Sequence, residues 1–133
     1  MITEKIKKIF FNIKNSVNDK MKQYNLTAVQ IILLEYLYEN NEKVIIQKDI
    51  CEHLSLKHST VIGILKRLEG KELITKKTNY KSEISITEKG IELIENAGIK
   101  KGFIENRLLE GFSKEEVDIL SSYLDRLYEN SKN

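Results

Sequence analysis

The sequence has no proline, no tryptophan and a single cysteine, and its longest unbroken run of apolar side chains is the four residues Ile31–Leu34. Without proline-rich, serine-rich or low-complexity stretches, and without an internal repeat, nothing divides the chain into separate modules. One cysteine, Cys51, cannot close an intrachain disulfide, which fits a reducing compartment. A four-residue apolar run falls far short of the roughly 20 residues that cross a bilayer. Lys5, Lys7 and Lys8 precede Ile9, Phe10 and Phe11 in the manner of a signal peptide, but Asn12 and Lys14 end that run before the about 7 to 15 apolar residues of an h-region. A cytoplasmic protein with no membrane partner is expected. An excess of charge of one sign is also lacking: 22 Lys and Arg stand against 20 Asp and Glu, a net charge of +2.

The hydrophobic share, 41%, is too high for a chain that stays disordered. The 133 residues suit one domain of the usual size, about 100 to 150 residues. Ile2, Ile6, Ile9, Phe10, Ile13 and Val17 recur at helical spacing and predict a first helix with a lysine-rich opposite face. Thr27 with Gln30 forms a capping-box pattern, with Leu26 and Ile31 as its staple, and predicts the start of a second helix. Ser113 with Glu116, and Phe112 with Val117, repeat the pattern for a last helix running to about Tyr128.

Between them, Gln47–Leu54 and His58–Leu68 are short helical patterns separated by three residues, the spacing of a helix-turn-helix. Leu73–Lys77 and Ser82–Ile86 then predict a two-stranded hairpin around the tip Thr78-Asn79-Tyr80-Lys81. Thr87 caps a long helix through Ile91, Ile94, Ile104 and Leu108. Gly98 and Gly102, each costing about 1 kcal/mol against alanine, are expected to mark a bend in it. The expected fold is mainly α with a small β-hairpin.

Charge becomes informative when divided along the chain. Between Lys57 and Lys81 seven cationic side chains face two glutamates, a net of +5. From Gly102 onward four cations face seven carboxylates, a net of −3. A phosphate backbone attracts the first segment and repels the second. An isolated charge run is commonly just solvated surface, but this one coincides with the second helix of the helix-turn-helix and with the hairpin. On that helix Val61, Ile64, Leu65 and Leu68 form the core stripe, and Ser59, Gly63, Lys66 and Gly70 point away, flanked by Thr60, Ile62 and Arg67. The candidate DNA-binding residues are Lys57, His58, Ser59, Thr60, Ile62, Gly63, Lys66, Arg67, Lys76, Lys77, Asn79, Tyr80 and Lys81. Ile62 has a second reading, packing against the preceding helix.

Catalytic and metal chemistry do not assemble. Cys51 and His53 diverge by about 200° on a helix and cannot close on one ion, so no metal and no cofactor are expected. His58 and Ser59 diverge by about 100° and lack a third group to orient the histidine. Cys51 is expected to be a buried structural residue, and the paired Glu115 and Glu116 suit a helix N-terminus. An enzyme is not expected.

The elements in this order resemble the MarR family of winged helix-turn-helix transcription regulators. The resemblance is carried by Leu26-Thr27-Ala28-Val29-Gln30, by Gln47-Lys48-Asp49-Ile50-Cys51-Glu52-His53-Leu54, and by Ser59-Thr60-Val61 with Lys66-Arg67-Leu68-Glu69. Leu73-Ile74, Ile86-Thr87-Glu88-Lys89-Gly90 and Gly111-Phe112-Ser113-Lys114-Glu115-Glu116 complete it. It extends from Tyr24 to about Asn130, with residues 1–23 matching by helical pattern only.

The resemblance implies a homodimer built on the first, fifth and sixth helices, a recognition helix, here His58–Lys71, in the major groove of double-stranded DNA, and a wing in the adjacent minor groove. For many members it also implies a small-molecule effector or an oxidative signal. Residues 27–90 are then the DNA-binding winged helix of a single domain, 1–133, and 1–26 with 91–133 the dimerisation helices. A repressor role is expected. Independently, Ile2, Ile6, Ile9, Ile13, Ile104, Leu108, Leu120, Leu124 and Leu127 give the terminal helices more apolar surface than one small winged helix covers, which marks an interface.

The wing departs from the family's Asp-x-Arg tip. Ile62 and Gly63 stand where other members often carry polar or basic readers, so sparse direct readout is expected. A winged-helix module that binds a protein partner, with weak or non-specific DNA binding, is the alternative. No ligand site is assigned; Phe10, Phe11, Tyr36 and Tyr38 are the aromatic candidates for a pocket near the dimer helices.

Overall fold

Helix α2, Ala28–Glu39, organises the core because it is apolar nearly all round, the pattern of a helix covered on every side. In a computed structural model that describes residues 1–77, 82–97 and 103–132, its Ile31, Leu33, Leu34 and Leu37 are buried. The capping box at its start is formed: the Gln30 amide N–H donates to Thr27 Oγ1 (3.3 Å), and Gln30 Oε1 accepts from the Thr27 N–H (3.1 Å). That reciprocity lets Gln30 be the one buried polar side chain of the described core. Leu26 and Ile31, the expected staple pair, are both buried.

Around α2 the chain runs α1 (Ile2–Met21), a 3-10 turn (Lys22–Tyr24), α2, β1 (Ile45–Ile46), α3 (Gln47–Leu54), α4 (His58–Gly70), β2 (Ile74–Lys76), β3 (Glu83–Ile86), α5 (Glu88–Asn96), α6 (Phe103–Leu108) and α7 (Lys114–Ser131). The fold is mainly α with a small antiparallel sheet, as expected, but the sheet has three strands rather than two. β3 lies in the middle, pairing Ile84 with Ile45 on one side and with Lys76 on the other. Two residues are too few for a period-2 signal, so Ile45–Ile46 is invisible as a strand until β3 is beside it. The expected long helix after Thr87 is also revised: α5 ends at Asn96, where the Ala97 N–H closes on the Leu93 carbonyl, and α6 begins at Phe103. Gly98 and Gly102, proposed as its bend, lie outside the described residues.

Backbone contacts divide the chain into two units, Met1–Ile99 and Lys100–Asn133. In the first unit α1 packs on α2, α2 on α4, α5 and β3, and α3 on α4. Asn18 Oδ1 accepts from the Ala28 N–H (2.9 Å), fastening the end of α1 to the start of α2. The α4 exit is closed by the left-handed Glu72 (φ 61°), with the Leu73 N–H reaching the Leu68 carbonyl (3.0 Å). Glu35, half-buried on α2, has its carboxyl raised above the ordinary range by desolvation and then by Glu39. A raised acid pKa means that the fold disfavours the charged form, a cost absent when the group is protonated in both states and complete above the folded pKa. Glu35→Gln is therefore expected to raise the Tm at pH 7, with the gain vanishing below the ordinary carboxylate range; pH-dependent melting checks it.

In the second unit α7 begins on the expected capping box, with the Glu116 N–H donating to Ser113 Oγ (3.1 Å) and the Ser113 N–H to Glu116 Oε1 (2.9 Å). No residue of α7 is fully buried. A helix with so little tertiary support depends on its cap, and Ser113→Ala is expected to cost about 1 kcal/mol, read as a loss of helical circular dichroism on heating.

Candidate nucleic-acid interface

The turn between α3 and α4 sets the direction of the second helix. Ser55 adopts a left-handed conformation (φ 54°) as the cap of α3, and the Leu56 N–H closes on the Cys51 carbonyl (3.1 Å). The half-buried Leu56 follows, and α4 starts at His58. Val61, Ile64, Leu65 and Leu68 then point into the core, with Val61 and Leu68 fully covered. The opposite face holds the exposed Ser59, Thr60, Lys66 and Arg67 and the partly exposed Gly63, while Ile62, 37% exposed, lies on the flank.

Side-chain caps close the starts of α2, α5 and α7, but α4 has none at Lys57. Like α1 and α3 it lacks a side-chain acceptor at its cap, and the positive end of its dipole lies beside the exposed His58, Ser59 and Thr60, an arrangement suited to phosphate oxygens. Among the described residues neither Lys66 nor Arg67 has a carboxylate within ion-pair distance.

The remaining cations differ in availability. Lys77 is held by Glu83 across the base of the hairpin (Nζ to Oε2 3.3 Å), a carboxylate beyond the end of the +5 segment that sequence spacing alone did not pair with it. Lys76 on β2 turns its Nζ toward Gln47 Oε1 (3.4 Å), and Lys71 donates to the Asn25 carbonyl and so braces the α1–α2 connection. His58 Nδ1 lies 3.4 Å from Gln47 Nε2 and 3.5 Å from Cys51 Sγ, so Gln47 stands between the start of α4 and the wing strand. The sequence marks Gln47 only as the start of a helix and not as a bridging residue, because its two neighbours are 11 and 29 residues away. Asn79, Tyr80 and Lys81 at the wing tip lie outside the described residues.

Cys51 is buried, as its place on α3 predicted. His53 does not face it; it stacks on Tyr36 (centroids 4.1 Å apart, rings 10° from parallel), and desolvation, followed by Asp49 and Glu52, raises the tyrosine hydroxyl pKa. Among the described residues no group of three His, Cys, Asp or Glu side chains converges as for a metal, and no helix is long and apolar enough to cross a membrane.

Three of the four aromatic candidates for a pocket have other neighbours. Phe10 and Phe11 pair edge-to-face on the exposed side of α1, and Tyr36 is taken by His53. A groove of about 970 Å³ opens elsewhere, between the end of α1, the start of α2 and α4, lined among others by Lys14, Asn18, Lys22, Val29, Thr60 and Ile64. On the terminal helices Ile2, Ile6, Ile9, Leu108, Leu124 and Leu127 are exposed, and Ile13, Ile104 and Leu120 half-buried.

Known proteins share this arrangement. Residues 15–97 match the family model described as transcriptional regulator SarA/Rot. The HTH-type transcriptional regulator MhqR of Bacillus subtilis (strain 168) is 27% identical over 142 residues, covering 98% of this chain and 97% of that protein. The S. aureus MepR–DNA complex is similar with a TM-score of 0.91 at 25% identity, over 99% of this chain and 97% of that one. The transcription regulator MarR from Oenococcus oeni PSU-1 follows at 0.86 and 26%, over 97% and 99%. With a helix-turn-helix, a three-stranded wing and a family match over well more than half its length, the chain belongs to the SarA/Rot transcriptional regulators of the MarR family.

Proposed function

We propose that this chain is a DNA-binding repressor that grips a pseudo-palindromic duplex as a homodimer, with α4 in the major groove and the β2–β3 wing on the neighbouring minor groove. The observation that carries the reading is the outer face of α4: an N-terminus without a side-chain cap, small polar side chains at Ser59 and Thr60, and Lys66 and Arg67 without carboxylate partners among the described residues. That MepR was crystallised with DNA in a similar structure supports it. Lys57, His58, Ser59, Thr60 and Lys66 are assigned to phosphate and groove contacts, Arg67 and Ile62 to base edges, and Lys76 to a contact from the wing strand β2. Asn79, Tyr80 and Lys81 keep their place as wing contacts on sequence grounds alone.

Residues 27–90 act as the DNA-binding part and 1–26 with 91–133 as the dimerising part of one functional domain. The exposed apolar residues of α1, α6 and α7 support this, since a surface of that kind is normally covered by a partner. Two-fold symmetry then spaces the half-sites about one helical turn apart. Repression follows from occupancy, because a dimer astride two half-sites excludes other proteins from the same duplex. The groove beside Thr60 and Ile64 is the place for a small-molecule effector, because it touches both the α1–α2 junction and the recognition helix.

Selection from random duplex DNA tests the reading. An enriched palindrome, bound with an affinity that falls steeply with salt, is expected. Failure to enrich any sequence, together with a stoichiometric protein partner that survives high salt, would replace it with the interaction-module reading, which the exposed Ile62 favours.

A further inference from the structure

Gly63 has no explanation within the folded chain. It lies inside α4, where glycine destabilises a helix relative to alanine. Two structural needs ordinarily retain such a residue, a positive φ or a crowded backbone. The only positive-φ glycine among the described residues is Gly111, so α4 does not require the first. A Cβ built on Gly63 meets nothing closer than Arg67 Nη1 at 3.8 Å, ordinary van der Waals contact, so crowding does not require it either. Gly90 shows what a required glycine looks like, with a backbone oxygen only 2.5 Å from its built Cβ. The gap at Gly63 opens on the cationic face of α4, with Ser59 one turn before it and Lys66 and Arg67 one turn after, all exposed.

We propose that Gly63 is the point of closest approach between the backbone of α4 and duplex DNA, where a missing side chain admits a base edge or sugar–phosphate strand that a Cβ would hold away. This rests on the DNA-binding function proposed above. It adds that specificity at this position comes from fit, with the guanidinium of Arg67 lying beside the gap as the neighbouring polar reader. A methyl group is then tolerated by the free protein and resisted by the complex. The two measurable quantities move in opposite directions.

The test uses the full chain as wild type, Gly63→Ala and Gly70→Ala. Gly70 lies seven residues further along the same face, and its built Cβ meets nothing within 4 Å. Each protein is melted without DNA and titrated at fixed salt into a fluorescein-labelled duplex pool of random sequence, then into any duplex that selection enriches. Gly63→Ala is expected to melt several degrees higher yet bind roughly ten-fold or more weaker, while Gly70→Ala keeps affinity within about two-fold. Gly63→Ala binding within about two-fold of wild type, or equal losses for both variants, overturns the proposal. Absence of binding by the wild-type chain instead overturns the DNA-binding reading itself, and the proposal with it.

Discussion

Replacing Lys66 and Arg67 together by alanine is expected to weaken duplex binding by on the order of 10²-fold or more at low salt, since each cationic contact contributes roughly 1–3 kcal/mol. Both side chains are exposed on the outer face of α4 and lack carboxylate partners among the described residues, so their charge is available to DNA. The slope of log affinity against log salt is expected to fall by about one unit per protomer, because Lys66 is the member of the pair assigned to phosphate and each neutralised phosphate releases close to one counterion. Lys77 is expected to behave differently. Its ammonium already faces Glu83, so Lys77→Ala costs less than Lys66→Ala, and Glu83→Gln, which frees the lysine, strengthens binding. Fluorescence titration across a salt series separates these outcomes, and equal losses at Lys66 and Lys77 would show that the Glu83 pair does not hold Lys77 away from DNA.

Gly90→Ala is expected to destabilise the winged helix by about 2 kcal/mol net of the helix preference of alanine, a fall of roughly 10 °C in Tm at fixed protein concentration. The new Cβ meets the Leu73 carbonyl oxygen at 2.5 Å and Ile86 Cγ1 at 2.7 Å. The isoleucine can rotate, but the carbonyl is fixed, since it accepts the Thr87 N–H (3.0 Å). Thr87 also donates its hydroxyl to the Glu72 carbonyl (2.7 Å) and accepts from the Gly90 N–H (3.1 Å). The exit of α4, the chain entering β2, the end of the central strand β3 and the start of α5 therefore meet in one joint with no slack. Thermal melting of Gly90→Ala beside Gly63→Ala is an internal comparison, with losses expected for the first and gains for the second.

Much of this was legible in the residues. The caps at Thr27, Thr87 and Ser113 fall where their side chains predict, because capping is a contact over three residues and needs no tertiary information. The core stripe of α4 is likewise a matter of period, and Val61, Ile64, Leu65 and Leu68 all turn inward. β1 is not legible in the sequence because two residues become a strand only when Ile84 and Glu83 come alongside. Lys76 and Lys77 counted as two equal charges in the sequence, whereas the fold gives one to Gln47 and the other to Glu83.

By itself the sequence determined the order of the helices up to α5, the capped starts of α2, α5 and α7, the apolar faces and the cationic segment, all of which follow from periodicity and from contacts between near neighbours in the chain. Only the tertiary structure decided which cations remain available, how Gln47 stands between the start of α4 and the wing, and which glycine is crowded and which is open. The contacts of Gln47 and Lys71 join groups 11 to 46 residues apart, and even the nearer pair Lys77 and Glu83 meets only when the hairpin closes, so no local pattern encodes the distance between them.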